Sequence, residues 1–355
     1  MSNHDHTHDD ATVRASIENT TGVLELNRPK ALNSLNPEMI SAISAALEEW
    51  RDDPRVTQVL VRSSSPKAFC AGGDVRFARE GILEGNGEAV DGFFEEEYRM
   101  NEAIASFPKP YVALIDGIVM GGGLGVSAHG SHRVVTEKVL AAMPEMAIGY
   151  VTDVGMTWAL AHMVGKKGEP SAALAAFLGL TGWHVKVADA VWSGLATDLI
   201  RSEDVDAFAD ALIADGVEAA LERFRVNQEE PSQLEAWYPE IKRCFSERGW
   251  AAISQAVEES SNEEFREAVR TLCASASPSS LVATAEVFAH NAEADSLHEA
   301  IWAEWAVGKR LLRTHDFAEG VRAVLVDKDR QAAFEPSAPE EVDAAAWREV
   351  VAAKR

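Results

Sequence analysis

The feature that most constrains the fold is a change in hydrophobic pattern near residue 200. Before it, short runs rich in β-branched residues alternate with helical patterns. The strand candidates TVRASIE and GVLELN, separated by the turn residues NTTG, are followed by the helix candidate NPEMISAISAALEEW. Asn36 is the expected N-cap of this helix, and its apolar residues share one face: Ile40, Ile43, Leu47 and Trp50. Strand, loop and helix recur in this order, which predicts an α/β core over residues 12–200.

Beyond residue 200 only helical periodicity remains. The segment SLHEAIWAEWAVGKRLLRT opens with Ser296 and Glu299 at capping-box spacing, and WAAISQAVEESS carries the same period. The stretch NQEEPSQLEAWYPE, with its prolines and acids, is predicted to be an exposed connection. We therefore expect residues 201–355 to form an all-helical C-terminal region. Residues 1–11 are polar and are expected to be a disordered tail.

Charge and cysteine content disfavour several classes of function. The formal net charge of −24 argues against nucleic acid and against anionic membrane surfaces as partners. Cys70, Cys244 and Cys273 have no paired spacing, which is typical of reduced thiols and predicts neither a disulfide framework nor a metal site. The chain contains no apolar run of about 18 residues that would predict a membrane span. The first residues resemble neither a signal peptide nor a mitochondrial presequence, so we expect a cytoplasmic protein.

A glycine-rich loop follows the apolar run YVALIDGIVM and indicates a ligand site. Four glycines occupy five positions, at 121, 122, 123 and 125. Glycine lets the backbone approach a ligand closely, so N–H groups here are expected to face a negatively charged group. A triphosphate is disfavoured because no Gly-Lys-Ser/Thr follows, and the chain lacks the G-x-G-x-x-G of a dinucleotide site. Three other segments supply glycines or carboxylates: KAFCAGGDVR, FFEEEYRMN and MPEMAIGYVTDVG.

Taken in order, these segments resemble the crotonase (enoyl-CoA hydratase/isomerase) superfamily, and within it the 3-hydroxyisobutyryl-CoA hydrolase branch. The similarity runs from GVLELNRPKALNSL to HDFAEGVRAVLVDKD and covers nearly the whole chain. It implies a crotonase-like spiral of β-β-α turns followed by the helical C-terminal region. It also implies an acyl-CoA substrate, no metal or cofactor apart from the CoA of the substrate, and hydrolysis within valine breakdown. Relatives commonly form trimers or hexamers, so a homo-oligomer is compatible with the resemblance.

The resemblance also assigns the reacting groups. The backbone N–H groups of Gly73 and Gly122 would hold the thioester oxygen as it becomes an oxyanion, with Gly72 and Gly121 beside them. Fixed donors of this kind commonly contribute about 3–4 kcal/mol each. Glu145 would attack the thioester carbonyl or activate water to do so, and the sequence leaves nucleophile and general base both open.

Two further acids decide which reaction is expected. Asp153 would orient water or bind the 3-hydroxyl group of the substrate, and Glu97 would hydrogen-bond that hydroxyl. Several acids in one cleft are expected to raise at least one pKa. Family hydratases carry a glutamate where this chain has Gly125, so a hydratase would lack half of its paired carboxylates. The hydrolase pattern Pro-Asp-Val-Gly-Gly reads TDVGM here, and Thr152 and Met156 leave the acyl group open.

For the CoA moiety, the resemblance points to NRPKAL and to the first glycine loop. Lys30 is the candidate phosphate contact, while Ala31, Ala71 and Asp74 would contribute backbone groups. Positive charge is expected here because the CoA phosphates must approach an acidic protein.

Two alternatives stay open. The first is an enoyl-CoA hydratase/isomerase-type lyase or isomerase that moves a proton next to the thioester. The second is a non-catalytic acyl-CoA-binding homologue in which the altered TDVGM has lost catalysis. Only a hydrolase liberates the CoA thiol, so thiol release distinguishes these possibilities.

Overall fold

The computed structural model describes residues 11–353, so the predicted tail, residues 1–11, lies outside the described residues except for Ala11. Every strand of this part of the chain lies before residue 200. The strands are β1 (Val13–Glu18), β2 (Thr21–Leu26), β3 (Gln58–Ser63), β4 (Ala68–Cys70), β5 (Tyr111–Ile115), β6 (Ile118–Met120), β7 (His132–Val135), β8 (Leu140–Ala142) and β9 (Asp198–Leu199).

The strands form two sheets that the chain visits alternately. One sheet has six strands in the order β1-β2-β3-β5-β7-β9, and the other has three in the order β4-β6-β8. Apart from the antiparallel hairpin of β1 and β2, neighbouring strands pair in parallel. In each of the consecutive pairs β3–β4, β5–β6 and β7–β8, the first strand belongs to the large sheet and the second to the small one. The backbone therefore winds as a spiral of repeated turns. The predicted spiral core is confirmed.

Helices complete the turns of the spiral and then make up the C-terminal part. The earlier helices are α1 (Pro37–Arg51), α2 (Val75–Leu83), α3 (Gly87–Ala105), α4 (Gly122–Ser127), α5 (Met156–His162), α6 (Ala172–Thr181) and α7 (Val187–Ser193). The later helices are α8 (Val205–Asp215), α9 (Val217–Phe224), α10 (Gln233–Phe245), α11 (Trp250–Glu258), α12 (Glu263–Cys273), α13 (Pro278–Asn291), α14 (Leu297–Leu311), α15 (His315–Val321) and α16 (Ala344–Ala352). Within residues 11–353, no helix combines the length and apolar character needed to cross a bilayer.

Helix α1 forms as its sequence predicts. The side chain of Asn36 accepts a hydrogen bond from the N–H of Met39, and Pro37 occupies the first turn, where its missing N–H costs nothing. The predicted apolar face is buried against the core: Ile40, Ile43, Leu47 and Trp50.

The stretch NQEEPSQLEAWYPE is not an exposed connection in its second half, and that prediction is wrong. Helix α10 begins inside it at Gln233, with the side chain of Ser232 capping the N–H of Glu235. Leu234 and Trp237 are buried on the inner face of this helix. Prolines and acids surround these two apolar residues in the sequence, and they obscured the helical spacing.

The C-terminal helices pack directly on the spiral. Helix α14 lies against α3 and α5, while α15 lies against α2 and the 3-10 turn Glu145–Ile148. One hydrophobic cluster contains side chains from Val13 to Val351 and so joins both parts of the chain. The helical region therefore covers the face of the spiral on which the predicted acids lie.

Candidate active site

The candidate site lies where three neighbouring parallel strands end. Strands β4, β6 and β8 run side by side in the small sheet, and each is followed by one of the predicted segments. Gly72–Gly73 follow β4, Gly121–Gly122 follow β6, and Glu145 follows β8. Because the carboxyl ends of parallel strands meet at one edge of a sheet, these distant segments converge there.

Two backbone N–H groups come together at this edge. A Cβ atom built on Gly122 would lie 3.1 Å from the nitrogen of Gly73. Neither the N–H of Gly73 nor that of Gly122 has an acceptor within the described part of the chain. The same Cβ would collide with Oε1 of Glu97, so the approach of this carboxyl requires glycine at 122. Two adjacent unpaired donors are the arrangement that stabilises an oxyanion.

Helix α3 brings Glu97 to these donors. Of three consecutive glutamates, Glu97 is only 1% exposed, whereas Glu96 is exposed and Glu95 pairs with Arg99 at 3.2 Å. Oε1 of Glu97 has no hydrogen-bond partner among residues 11–353. Burial, followed by the charge of Asp153, raises the pKa of Glu97 well above its ordinary value. The sequence-predicted residue is thus the one that the fold places beside the glycine loops.

Glu145 is the first residue of the 3-10 turn after β8, and its carboxyl group lies against Gly121. Its Oε1 is 2.8 Å from the position that a Cβ on Gly121 would take, and its Oε2 is buried without a partner in the described chain. Burial raises the pKa of Glu145 well above its ordinary value, and the charge of Asp153 adds to this effect. A carboxyl group of raised pKa is a stronger base once ionised, which suits a nucleophile or general base.

Asp153 lies near Glu145 and is hydrogen-bonded by Tyr98, which in turn contacts Tyr150. The hydroxyl of Tyr98 donates a hydrogen bond to Oδ2 of Asp153 at 2.7 Å, and the hydroxyl oxygens of Tyr98 and Tyr150 are 3.1 Å apart. Burial raises the pKa of Asp153 to about 7, and the hydrogen bond from Tyr98 opposes this rise. The environment therefore makes Asp153 titrate near neutral pH.

The turn after Asp153 is strained and is held from outside the spiral. Val154 has φ 51° and Gly155 has φ 74°, and the left-handed region is unfavourable for a β-branched residue. The carboxylate of Glu304, on α14, accepts hydrogen bonds from the N–H of Gly155 at 2.7 Å and from the N–H of Thr157 at 3.1 Å. Nε2 of His129 lies 2.7 Å from the carbonyl oxygen of Val154. We call the turn Asp153–Gly155 with its Glu304 contact the Asp153 clamp.

The loops predicted to hold CoA are joined to the first glycine loop. Lys30 and Ala31 lie in the 3-10 turn Pro29–Ala31, with the side chain of Lys30 exposed. The N–H of Ala71 donates to the carbonyl of Leu32 at 3.0 Å, so this neighbouring loop packs beside Gly72. The N–H of Ala71 is therefore already paired, which leaves only its carbonyl group for a ligand.

Asp74 has a structural role in the same loop. Its Oδ2 accepts from Nη1 of Arg28 at 2.8 Å, and its Oδ1 accepts from the N–H of Phe77 in the first turn of α2. Its own N–H donates to the carbonyl of Leu35 at 2.8 Å. Its carbonyl accepts from the N–H of Ala78 at 3.3 Å, so both backbone groups of Asp74 are already paired, and the predicted backbone contact has only the second lone pair of this carbonyl.

Gly125 has no space for the glutamate of family hydratases. A Cβ on Gly125 would lie 2.8 Å from Nδ2 of Asn101 and 2.9 Å from Cβ of Val154. A glutamate here would displace both the α3 side chain and the Asp153 clamp. Asn101 and Val154 occupy the space that the side chain of a second catalytic carboxylate at position 125 would need.

Sequence reasoning missed three residues that shape the site. Tyr98 directly follows Glu97 in EEYRMN, and Asn101 lies one helical turn later. Glu304 interrupts the apolar stretch IWAEWAV. An acid in the apolar face of a helix signals a buried, hydrogen-bonded carboxyl, and this signal was available for Glu304.

Comparisons with known proteins agree with this architecture. The enoyl-CoA hydratase/isomerase family profile matches residues 21–351. The chain is 38% identical over 352 residues to the "3-hydroxyisobutyryl-CoA hydrolase, mitochondrial" of Xenopus laevis, covering 96% of this chain and 88% of the relative. The human protein of the same name is 36% identical over 347 residues, covering 94% of this chain and 87% of the relative. These names place the relatives in mitochondria, which differs from the cytoplasmic location predicted here.

A solved structure is also similar over nearly the full length. The carnitinyl-CoA dehydratase of Mycobacterium thermoresistibile superposes with a TM-score of 0.87 at 36% sequence identity, covering 97% of both chains. The family profile spans the spiral and the C-terminal helices alike. This chain therefore belongs to the enoyl-CoA hydratase/isomerase family.

Proposed function

We propose that this chain hydrolyses a short-chain 3-hydroxyacyl-CoA thioester, namely 3-hydroxyisobutyryl-CoA, to the free acid and CoA. The observation that carries the proposal is the buried carboxyl of Glu145 on the same edge as the unpaired N–H groups of Gly73 and Gly122. Relatives 36% and 38% identical over most of the chain carry the name of this hydrolase, which supports the acyl group. The reaction would be a step of valine breakdown and needs only water as co-reactant.

The two N–H groups act on the carbonyl oxygen of the thioester. As a nucleophile adds to the carbonyl carbon, negative charge grows on this oxygen and strengthens both hydrogen bonds. Each fixed donor in a water-poor site commonly contributes about 3–4 kcal/mol to the lowering of the barrier. The C–S bond then breaks, and CoA leaves as a thiolate that takes up a proton.

Glu145 starts the reaction by one of two routes. Its carboxylate attacks the carbonyl carbon to form a mixed anhydride that water later cleaves, or it takes a proton from the water that attacks. Both routes require the ionised form, so activity rises with pH through the raised pKa of Glu145. Asp153, oriented by Tyr98, positions the water and receives its second hydrogen bond.

Glu97 selects the acyl group. Its Oε1 is buried without a protein partner among residues 11–353 and lies against Gly122. The 3-hydroxyl of the substrate would donate a hydrogen bond to this carboxyl oxygen. A plain acyl group leaves the oxygen unpaired, which costs free energy in a buried site.

A second candidate function is a hydratase or dehydratase, favoured by the name of the similar Mycobacterium thermoresistibile structure. The contacts of Gly125 with Asn101 and Val154 oppose it, because they leave no space for a second carboxylate at this position.

Release of free thiol from a panel of CoA thioesters tests the proposal. The panel contains 3-hydroxyisobutyryl-, 3-hydroxypropionyl-, acetyl- and crotonyl-CoA, with the thiol read by a chromogenic disulfide. We expect rapid release from the two 3-hydroxyacyl thioesters and slow release from acetyl-CoA. Loss of the double-bond absorbance of crotonyl-CoA without thiol release would establish the hydratase instead. No reaction with any member would indicate the non-catalytic acyl-CoA-binding homologue.

A further inference from the structure

Asn101 is a fully buried residue beside the proposed acyl site. It lies on α3, four residues after Glu97, and its side chain has no solvent exposure. Residues at i and i+4 lie on the same helix face, so Glu97 and Asn101 face α4 one above the other. Glu97 meets Gly122, and Asn101 meets Gly125 one turn further along α4. The carboxamide therefore extends the row of polar groups away from the two N–H donors.

Both polar atoms of Asn101 lack a hydrogen-bond partner among residues 11–353. The other two buried asparagines of this range are held by the protein. Asn33 donates to Oγ of Ser63 at 2.8 Å, and Asn291 donates to Oγ1 of Thr157 at 2.7 Å although its Oδ1 is unpaired within residues 11–353. Among these three asparagines, only Asn101 has both polar atoms unpaired. Buried polar groups are nearly always paired in folded proteins, and a group that is not paired needs an explanation.

The unpaired atoms near Asn101 belong to one site. Oε1 of Glu97 and Oε2 of Glu145 are also buried without a protein partner in the described chain. Together the three side chains supply acceptors and one amide donor around the loop and helix 121–125. A purely apolar acyl chain would leave all of these atoms unpaired, whereas a hydroxylated one would satisfy several of them.

The spacing fits a 3-hydroxyacyl group. Four residues of helix rise by about 6 Å, which separates the levels of Glu97 and Asn101 along α3. A 3-hydroxyl oxygen lies three bonds of roughly 1.5 Å beyond the carbonyl carbon of the thioester. With the carbonyl oxygen held at Gly122, beside Glu97, this reach is long enough to bring the hydroxyl toward the level of Asn101.

We propose that Asn101 is a specificity-determining residue whose carboxamide donates a hydrogen bond to the hydroxyl oxygen of the acyl group, while Glu97 accepts a hydrogen bond from that hydroxyl. This inference rests on the proposed hydrolase function and adds an amide donor beside the carboxyl group of Glu97. A hydroxyl both donates and accepts, so a carboxylate and a carboxamide together satisfy it.

The test replaces Asn101 with leucine, which has a similar shape and no polar atoms. The ratio of kcat/KM for 3-hydroxyisobutyryl-CoA to that for isobutyryl-CoA is measured by thiol release. We expect Asn101→Leu to lower this ratio by about 10- to 100-fold, the effect of one lost hydrogen bond in a buried site. The value for isobutyryl-CoA, which has no hydroxyl, should stay within about threefold of the wild type. Asn101→Ala provides the same comparison if the leucine variant does not fold.

A matched control removes an unpaired buried polar atom elsewhere. Oγ1 of Thr284, on α13, is also buried and unpaired among the described residues. Thr284→Val should leave the substrate ratio unchanged. Melting temperatures complete the comparison, because Asn101→Leu should melt no lower than the wild type if its carboxamide serves the substrate and not the fold.

The outcomes separate this inference from the proposed function. If the wild type releases no thiol from either substrate, the hydrolase function itself fails. If the wild type is active and Asn101→Leu retains its substrate ratio, or loses activity equally on both substrates, the role of Asn101 is overturned. A lower ratio with an intact fold supports it.

Discussion

Removing one hydroxyl group tests whether Asp153 works as a carboxylate tuned by its neighbours. The hydroxyl of Tyr98 donates to Oδ2 of Asp153 at 2.7 Å, and both side chains are buried. This hydrogen bond favours the ionised form and so opposes the effect of burial, which raises the pKa of Asp153 to about 7. Phenylalanine fits the same space, so Tyr98→Phe removes the hydrogen bond with little change in packing. The pKa of Asp153 should then rise.

The size of the effect follows from the energy of the bond. A hydrogen bond to a charged group contributes ~1.5–3 kcal/mol, which corresponds to about one to two pH units. The acidic limb of the pH–kcat profile, which reflects the ionisation of both Glu145 and Asp153, should move upward by up to this amount. At neutral pH, kcat should fall roughly tenfold or more because less Asp153 is ionised, and most of the loss should be recovered in alkaline buffer.

The assay is kcat measured between about pH 6 and pH 9 from the loss of thioester absorbance. Tyr111→Phe is the matched control, since the buried hydroxyl of Tyr111 donates to the carbonyl of Val126 at 2.8 Å and has no acid among its hydrogen-bond partners in residues 11–353. We expect its acidic limb to match the wild type. A limb that does not move in Tyr98→Phe, or that moves to lower pH, would refute the reasoning.

Three further substitutions test other parts of the site. Glu145→Gln should lower kcat by about 10²–10⁴-fold while calorimetry finds the affinity for a CoA ester unchanged, and retained activity would show that another group starts the reaction. Gly122→Pro deletes one N–H and its Cβ also displaces the carboxyl of Glu97, so kcat should fall by at least about 10²–10³-fold; wild-type kinetics in a folded variant would rule out the oxyanion site. Burial raises the pKa of Asp153 from 3.8 to about 7, so the stability that its protonated form contributes is lost as pH rises through 7. Asp153→Asn should therefore gain stability relative to wild type in urea unfolding, by about 2–3 kcal/mol more at pH 8 than at pH 5, and an equal difference at both pH values would contradict the assignment.

The parts of the fold that local patterns control were predictable. The hairpin of β1 and β2, the cap of α1 at Asn36 and the helix that Ser296 opens all depend on residues close in sequence. Helix α10 was not recognised, because its buried residues Leu234 and Trp237 are surrounded by acids and its register depends on packing against the core. The acids and prolines of this segment led to the prediction of an exposed connection, although its apolar residues have helical spacing.

The site was predictable only where a motif carries it. The two glycine loops, Glu97, Glu145 and Asp153 came from the resemblance to a family, and parallel strand topology explains why they converge. The contribution of Glu304 depends on a contact between residues 149 positions apart. The unpaired state of Asn101 depends on what surrounds it in space. The apolar neighbours of Glu304 in the sequence signal its burial, but neither its partner nor the unpaired state of Asn101 leaves a local pattern.

The Asp153 clamp has a consequence for the stage of synthesis at which the chain gains catalytic activity. A growing chain that has emerged as far as residue 200 contains both glycine loops and all three acids of the site. It does not yet contain Glu304, which holds the strained backbone after Asp153. The proposed water-positioning acid is therefore synthesised before the contact that sets the backbone beside it. We expect competence to arrive only when α14 has left the ribosome, so that prematurely ended chains bind CoA esters without cleaving them.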